Sequence, residues 1–179
     1  MDEVELIRNC IHHKKEAQQI LFERYFGKMM GVCLRYSKDI PQAQEILNDG
    51  FFSAFQTLKK YNSEMCFENW LKEIMISAAV KNLRNNRKEY LIASTVNAGD
   101  VKKNNDVLSE AKLETMDTET ILHALQQLPP AYRVLYNLAV IDDISLKNIM
   151  ENLDMSEETA IANISKAKFY LQKNLNAFV

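Results

Sequence analysis

ISLKNIMENLDMSEETAIANISKAKFYLQKNL, at residues 144–175, is the stretch that decides the fold of this chain. It contains an amphipathic segment at 146–153 and a longer one from Glu157, separated by a turn at 154–156. Ser156 offers a hydroxyl N-cap to a first turn that carries acidic residues, which is typical of a helix start. We therefore predict a helix-turn-helix, the geometry that presents its second helix to the major groove of DNA.

The second helix of this motif has two faces by its spacing. The inner face is expected to be buried and consists of Ala160, Ile164, Ala167, Leu171 and Leu175. The outer face is expected to be exposed and consists of Glu158, Thr159, Ala162, Asn163, Lys166 and Lys173. Seven acidic and five basic residues lie between 118 and 179, a low charge for a DNA-binding domain.

The composition indicates an all-α protein. The 179 residues include only four Gly and three Pro, and 47% of the chain is hydrophobic. Few helix breakers among many good helix formers favour helices throughout. With a net charge of −2, a nucleic-acid target would require either that the charge is locally segregated or that a larger partner supplies the affinity.

The helical patterns fall into two halves. Residues 1–90 and 118–179 carry periodic apolar positions, whereas residues 91–117 are rich in Ser, Thr, Asn, Gly and Asp. That composition is typical of a linker. We expect an all-α fold of two small helical domains, 1–90 and 118–179, joined by a flexible linker.

The first half contains a helix start at Asp39, which precedes Pro41. The resulting helix runs to about Leu58, after an earlier helix at about 14–36. Its predicted buried stripe consists of Ala43, Ile46, Leu47, Gly50, Ala54 and Leu58. The opposite face carries Glu45, Asn48, Asp49, Phe52 and Gln56. Phe52 is out of place there: it is either covered by a neighbouring helix or simply exposed, or it anchors another protein.

A second informative helix is predicted at 67–88, with a buried stripe of Phe67, Leu71, Ile74, Met75 and Ala78. The adjacent face carries an aromatic residue followed by polar and basic ones, namely Trp70, Ser77, Lys81, Arg84 and Lys88. The basic cluster is either a solvated helix end that complements the dipole or a nucleic-acid surface, since aromatic rings stack on unpaired bases. The polar loop before this helix, with Tyr61 and Asn62, either forms a turn or holds a flipped base.

Several kinds of site are not expected. Cys10, Cys33 and Cys66 are odd in number and widely spaced, which disfavours both a disulfide scaffold and a zinc site. We predict no catalytic residue, no metal ion and no cofactor. No signal peptide or membrane-spanning run is recognised, so we expect a cytoplasmic protein without membrane insertion.

Two segments together carry a family resemblance. DIPQAQEILNDGFFSAF from Asp39, followed by a polar loop and FENWLKEI from Phe67, resembles the second conserved region of bacterial sigma factors. LPPAYRVLYNLAVIDDISLKNIMENLDMSEETAIANISKAK from Leu128 is similar to their fourth region. These two regions joined by a short linker resemble the extracytoplasmic-function (ECF) group.

The resemblance implies a role in transcription initiation rather than catalysis. It implies that region 2 (1–90) binds the clamp helices of core RNA polymerase through Glu45, Asn48, Asp49 and Phe52. It implies −10 promoter recognition and melting by Tyr61, Asn62, Trp70, Ser77, Lys81, Arg84 and Lys88. It implies −35 recognition by region 4 (118–179) through Lys147, Ser156, Thr159, Ala162, Asn163 and Lys166. The implied partners are the polymerase clamp helices and flap, promoter DNA and an anti-sigma protein.

The chain departs from the family pattern at several of these positions. Family members usually carry a basic residue at the position of Ile161 and often another at that of Asn163. Region 2 of the family often has Asn where Ser77 stands and Asp where Lys81 stands. By its side chain, Asn163 can still pair with adenine, and Thr159 or Ala162 can contact a thymine methyl group. We therefore predict weak or A/T-biased readout of the −35 element.

Two other classes of function remain open at this stage. The acidic C-terminal half is consistent with a degenerate sigma-like module that binds polymerase or an anti-sigma protein without reading promoters. A stand-alone helix-turn-helix repressor is disfavoured because no helix that would pair two half-sites is evident.

Overall fold

A computed structural model describes residues 2–85 and 116–177. Every regular element in these two ranges is helical, which confirms the all-α prediction. The chain divides into two compact units, Met1–Ala79 and Val80–Val179. Lys88 and linker residues 91–115 lie outside the described ranges, and the expected boundaries at 90 and 117 stay predictions.

The N-terminal unit begins with two helices that pack on each other. Helix α1 (Glu3–Ile11) is capped by Asp2, whose Oδ1 accepts the Glu5 N–H at 2.7 Å. Helix α2 (Lys15–Tyr36) follows. The Tyr25 hydroxyl of α2 donates to the Glu3 carboxylate of α1. Burial and this hydrogen bond raise the pKa of Tyr25, so the phenol stays protonated and keeps α1 attached.

Helix α3 (Ile40–Thr57) starts at the predicted cap. Asp39 Oδ1 accepts the Gln42 N–H at 2.9 Å, and Pro41 lies in the first turn. A short 3₁₀ turn, Leu58–Lys60, ends the helix. All six residues of the predicted stripe are buried, and α3 packs on α2. The caps and the apolar spacing therefore gave the right helix and the right buried face.

Helix α4 (Phe67–Asn85) packs closely on α3 at a glycine. A Cβ atom added to Gly50 would lie 2.2 Å from the Met75 sulfur, far inside van der Waals contact. Met75 is itself fully buried. The predicted stripe of α4 is otherwise confirmed, except that Ile74 is only half-buried.

The second unit contains four described helices: α5 (Thr118–Gln126), α6 (Pro130–Tyr136), α7 (Leu146–Leu153) and α8 (Glu157–Asn176), with a π-helical turn at Asn137–Ile141 after α6. The helix-turn-helix prediction is confirmed for α7 and α8. Asp154 ends α7 in the left-handed conformation, with φ of 49°. Ser156 Oγ accepts the Thr159 N–H at 3.3 Å and caps α8.

A buried arginine joins α5 to α6. Arg133 of α6 is 2% exposed. Its guanidinium donates to the carbonyl oxygens of Leu125 at 3.1 Å, Gln126 at 2.7 Å and Leu128 at 2.7 Å. These carbonyls lie at the C-terminal end of α5, where a helix leaves acceptors unpaired and favours a cation. Arg133 therefore acts as the C-terminal cap of α5.

Candidate functional site

The outer face of α3 carries an exposed aromatic ring among polar side chains. Glu45, Asn48, Asp49 and Phe52 are all exposed and recur at the three- and four-residue spacing that aligns side chains on a helix. Phe52 is 64% exposed. Burying such a ring against another protein removes a large apolar surface from water. We call these four residues the α3 face, and it has the features of a protein-docking surface.

An aromatic cluster lies where the loop at 61–66 meets α4. The Tyr61 ring lies 5.2 Å from that of Phe67 and 5.3 Å from that of Trp70, measured between centroids. Phe67 is fully buried, while Tyr61 and Trp70 are half-buried. The two predicted aromatic residues therefore lie side by side, and each keeps part of its ring in solvent.

The loop itself is held by local hydrogen bonds. Asn62 Oδ1 accepts the Glu64 N–H at 3.1 Å, and Asn62 Nδ2 donates to the Glu64 carboxylate at 3.0 Å. The Tyr61 hydroxyl donates to the Met65 carbonyl. Next to this loop, a cavity of about 450 Å³ is lined by residues of α1 and of the loop, including Ile7, Leu58, Tyr61 and Phe67. Asn62 thus shapes the loop as well as being exposed on it.

The polar face of α4 continues from Trp70. Ser77, Lys81 and Arg84 follow it at spacings that keep all four on one side of the helix, and these three are exposed. The Ser77 hydroxyl donates back to the Glu73 carbonyl at 2.9 Å. Lys88, predicted to extend this face, lies outside the described residues. The aromatic and basic residues predicted for nucleic-acid contact are thus accessible in the described part of α4.

The outer face of α8 differs from the prediction. Asn163 is 0% exposed and Lys166 is 6% exposed, so the expectation that both lie on the outer face is wrong. The reason is that α8 packs on α6 as well as on α5 and α7. The Tyr170 ring stacks on Tyr132 of α6 with centroids 5.8 Å apart. Asn163 and Lys166 lie on this same flank of α8.

The other residues predicted for the helix-turn-helix remain accessible. Lys147 and Ser156 are exposed, and Thr159 and Ala162 are half-buried. Lys147 Nζ lies 4.0 Å from the Glu151 carboxylate on α7, a weak exposed ion pair. Ser156 and Thr159 also share a hydrogen bond between their hydroxyls at 2.9 Å. Their hydroxyls are therefore used in part to start α8.

Exposed residues that the prediction left out of the site lie on α8. Ile161 is 49% exposed, next to the exposed Glu158. At about 100° per residue, Asn163 lies about 60° from the buried Ala160, inside the buried arc, whereas Glu158 lies nearly opposite. A helical wheel centred on Ala160, Ala167 and Leu171 therefore distinguishes the buried Asn163 from the exposed Glu158.

The family model for sigma-70 region 2 matches residues 21–89. The ECF RNA polymerase sigma factor SigW of Bacillus subtilis is 24% identical over 182 residues, covering 95% of this chain and 97% of the relative. Residues 21–89 therefore match sigma-70 region 2, and over nearly its whole length the chain is similar to RNA polymerase sigma factors of the ECF group.

A second relative and one solved structure are also similar to this chain. The RNA polymerase sigma-H factor of Pseudomonas aeruginosa is 24% identical over 186 residues, covering 96% of this chain and 92% of the relative. The sigma factor RpoE of Bartonella quintana, solved with the anti-sigma factor NepR, has the same fold, with a TM-score of 0.52 and 15% identity over 88% of this chain and 96% of that one. Sigma factors in general are not enzymes. No helix in the described parts of this chain meets the length and apolarity that crossing a membrane requires.

Proposed function

We propose that this chain is a promoter-specificity subunit: it binds core RNA polymerase, directs it to a set of promoters and helps to open the DNA there. The observation that carries this proposal is the α3 face. Its exposed Phe52 stands among acidic and amide side chains opposite a fully buried stripe. An exposed aromatic ring adds no stability to its own domain. When a partner helix covers the ring, its apolar surface is removed from water and stabilises the complex. The occupant we propose is the clamp-helix pair of the polymerase.

The −10 element is assigned to the loop and to α4. Tyr61 and Trp70 would stack on unpaired bases, and Lys81 and Arg84 would follow the phosphates, as single-stranded DNA surfaces do. Asn62 and Ser77 would add polar contacts. The cavity beside the loop exceeds a nucleobase in volume, which supports capture of a base flipped out of the duplex. Lys88 belongs to this proposal by its sequence alone.

The −35 element is assigned to the helix-turn-helix. Lys147 and Ser156 would contact phosphates, while Thr159 and Ala162 would approach base edges. Region 4 would also contact the polymerase flap. The sigma factor would work in the cytoplasm, with no catalytic role of its own, because the polymerase performs the chemistry. The degenerate, promoter-blind alternative is not favoured by the relatives, which are sigma factors over nearly their whole length.

An anti-sigma protein is a proposed further partner. The Bartonella relative of the same fold was solved with one. The exposed apolar ring of Phe52 gives such a protein a surface to cover, and covering it would block polymerase binding. We expect an anti-sigma protein and core polymerase to compete for the α3 face.

The test is run-off transcription with core polymerase on genomic fragments. Adding this chain should yield discrete products that core polymerase alone does not make. Products identical with and without the chain would refute the proposed function.

A further inference from the structure

The accessible side chains of α8 are chemically unlike those of most DNA-reading helices. In its first two turns, Glu157, Glu158 and Ile161 are exposed and Thr159 and Ala162 are half-buried. Asn163 and Lys166, whose amide and ammonium groups could donate to base edges, are at most 6% exposed. Over this part of α8, solvent and therefore DNA meet carboxylates, apolar groups and the Thr159 hydroxyl, which already shares a hydrogen bond with Ser156.

This chemistry limits which bases can be recognised. Guanine is read chiefly by Arg or Lys, which donate to its O6 and N7 atoms, and adenine chiefly by Asn or Gln. Neither type is exposed in the first two turns of α8. A carboxylate accepts a hydrogen bond from the N4 amino group of cytosine, and an aliphatic side chain packs on the methyl group of thymine. The accessible groups therefore match pyrimidines.

The positions of these groups allow them to act together. Glu158 and Ile161 are three residues apart, so their side chains are neighbours on the helix surface. The second helix of a helix-turn-helix presents its N-terminal residues to the base edges, and both residues lie there. The rise per base pair is about 3.4 Å, so two neighbouring side chains reach base pairs that are adjacent or one step apart.

We infer that this sigma factor reads the −35 element through Glu158 and Ile161, selecting a cytosine with the first and a neighbouring thymine with the second. This inference rests on the proposed function and specifies its DNA sequence class. It replaces the expected adenine contact of Asn163, which is buried. Ala162 is half-buried beside them and supports the thymine contact.

The experiment uses holoenzyme reconstituted from core polymerase and the full chain. Its template is a promoter library that is randomised over the −35 element and fixed at the −10 element, and transcripts are counted by sequencing. The unmodified chain should enrich a C·G pair within two positions of a T·A pair. Glu158→Gln converts the acceptor of the cytosine amine into the side chain that reads adenine, so preference at that position should move from C to A by about fivefold or more.

A second variant tests the thymine contact. Ile161→Arg should replace the preference for T with a preference for G at its position, because Arg is the usual reader of guanine. Both substitutions are at exposed positions, so the unfolding temperature should change little, with a small decrease for Glu158→Gln because it removes a first-turn acid. The matched control is Glu119→Gln, which removes an equal charge from the exposed first turn of α5. It should leave the base preferences unchanged.

The outcomes separate the inference from the proposed function. A holoenzyme that starts at discrete promoters, but whose −35 preference is not C and T or does not move in Glu158→Gln, overturns the inference alone. The absence of any promoter-directed transcript overturns the proposed function and the inference with it. A preference that moves in both variants and not in the control supports the inference.

Discussion

Burial divides the three thiols of the chain. Cys10 and Cys33 are buried, whereas Cys66 is exposed in the loop before α4. Burial raises the pKa of Cys10 to about 11 and that of Cys33 to about 12. Since the thiolate is the reactive form, raised pKa values keep both thiols protonated and unreactive at pH 8.

We therefore expect iodoacetamide to label Cys66 alone in the native chain at pH 8. All three thiols should react once the chain is unfolded. Mass spectrometry of the labelled protein checks this. Labelling of Cys10 or Cys33 at the rate of Cys66 in the native chain would contradict the buried positions.

The α3 face gives a second prediction for single side chains. Phe52→Ala combined with Asp49→Ala should weaken binding to core polymerase by about tenfold or more, the loss expected when an interface anchor is removed. Both side chains are exposed, so the helical content should stay the same. Pull-down with core polymerase, together with circular dichroism, measures both quantities.

The matched control for this pair is Ile40→Ala. Ile40 is 58% exposed on the same helix but lies in its first turn, outside the α3 face. It should bind core polymerase as the unmodified chain does. Equal affinity of all three proteins would show that the α3 face does not dock.

The basic end of α4 gives a prediction about DNA opening. Lys81→Ala with Arg84→Ala removes two exposed cations, so the melted strand loses attraction to this helix. Permanganate reactivity of thymines in the −10 region should fall while core binding persists. Lys14→Ala with Lys15→Ala, which removes two exposed cations at the start of α2, is the control. Unchanged reactivity in the α4 variant would exclude these residues from promoter opening.

At the scale of whole helices, the cap that Arg133 provides to α5 should contribute measurably to the stability of its unit. Arg133→Met keeps the apolar part of the side chain but removes the guanidinium donor from three carbonyls, of which that of Leu125 also accepts a backbone N–H, from Leu128. Unpaired buried acceptors cost about 1–3 kcal/mol each where no water reaches them. We expect the free energy of unfolding of the C-terminal unit to fall by about 3 kcal/mol. Amide exchange in α5 should accelerate.

Arg133→Lys is the informative comparison for this cap. Lys keeps the charge but lacks the planar fork that reaches several carbonyls at once, so it should restore only part of the lost stability. Full recovery with Lys would mean that charge alone, and not the guanidinium geometry, holds α5 to α6. Urea unfolding of the full chain, followed together with hydrogen exchange, distinguishes the two.

Helix ends and buried stripes could be predicted because they depend on local sequence. Asp39 and Ser156 cap α3 and α8 where their hydrogen-bonding groups indicate. On the flank of α8 that holds Asn163 and Lys166, a helical wheel places Asn163 in the buried arc, but the burial of Lys166, about 120° from Ala160, could not be predicted in the same way. Its burial depends on α6 packing against α8, a contact between segments distant in sequence. The α3 face and the aromatic cluster at Tyr61 were predictable in position, but the hydrogen bonds of the loop were not.

For the whole molecule, charge decides how DNA is bound. The net charge is −2, and α8 presents carboxylates in its first turn. Neutralising phosphates supplies most of the affinity of DNA-binding proteins, so this chain alone offers little of it. We therefore propose that the polymerase supplies most of the affinity for DNA, while this chain selects the sequence.

The role of the chain in promoter choice is tested most directly by sequencing the 5′ ends of transcripts that core polymerase makes from genomic DNA with and without the chain. We expect the holoenzyme to start at a discrete set of sites that share one pair of upstream motifs, and these starts to vanish with the Phe52→Ala, Asp49→Ala variant. Start sites indistinguishable from those of core polymerase alone would contradict the central claim.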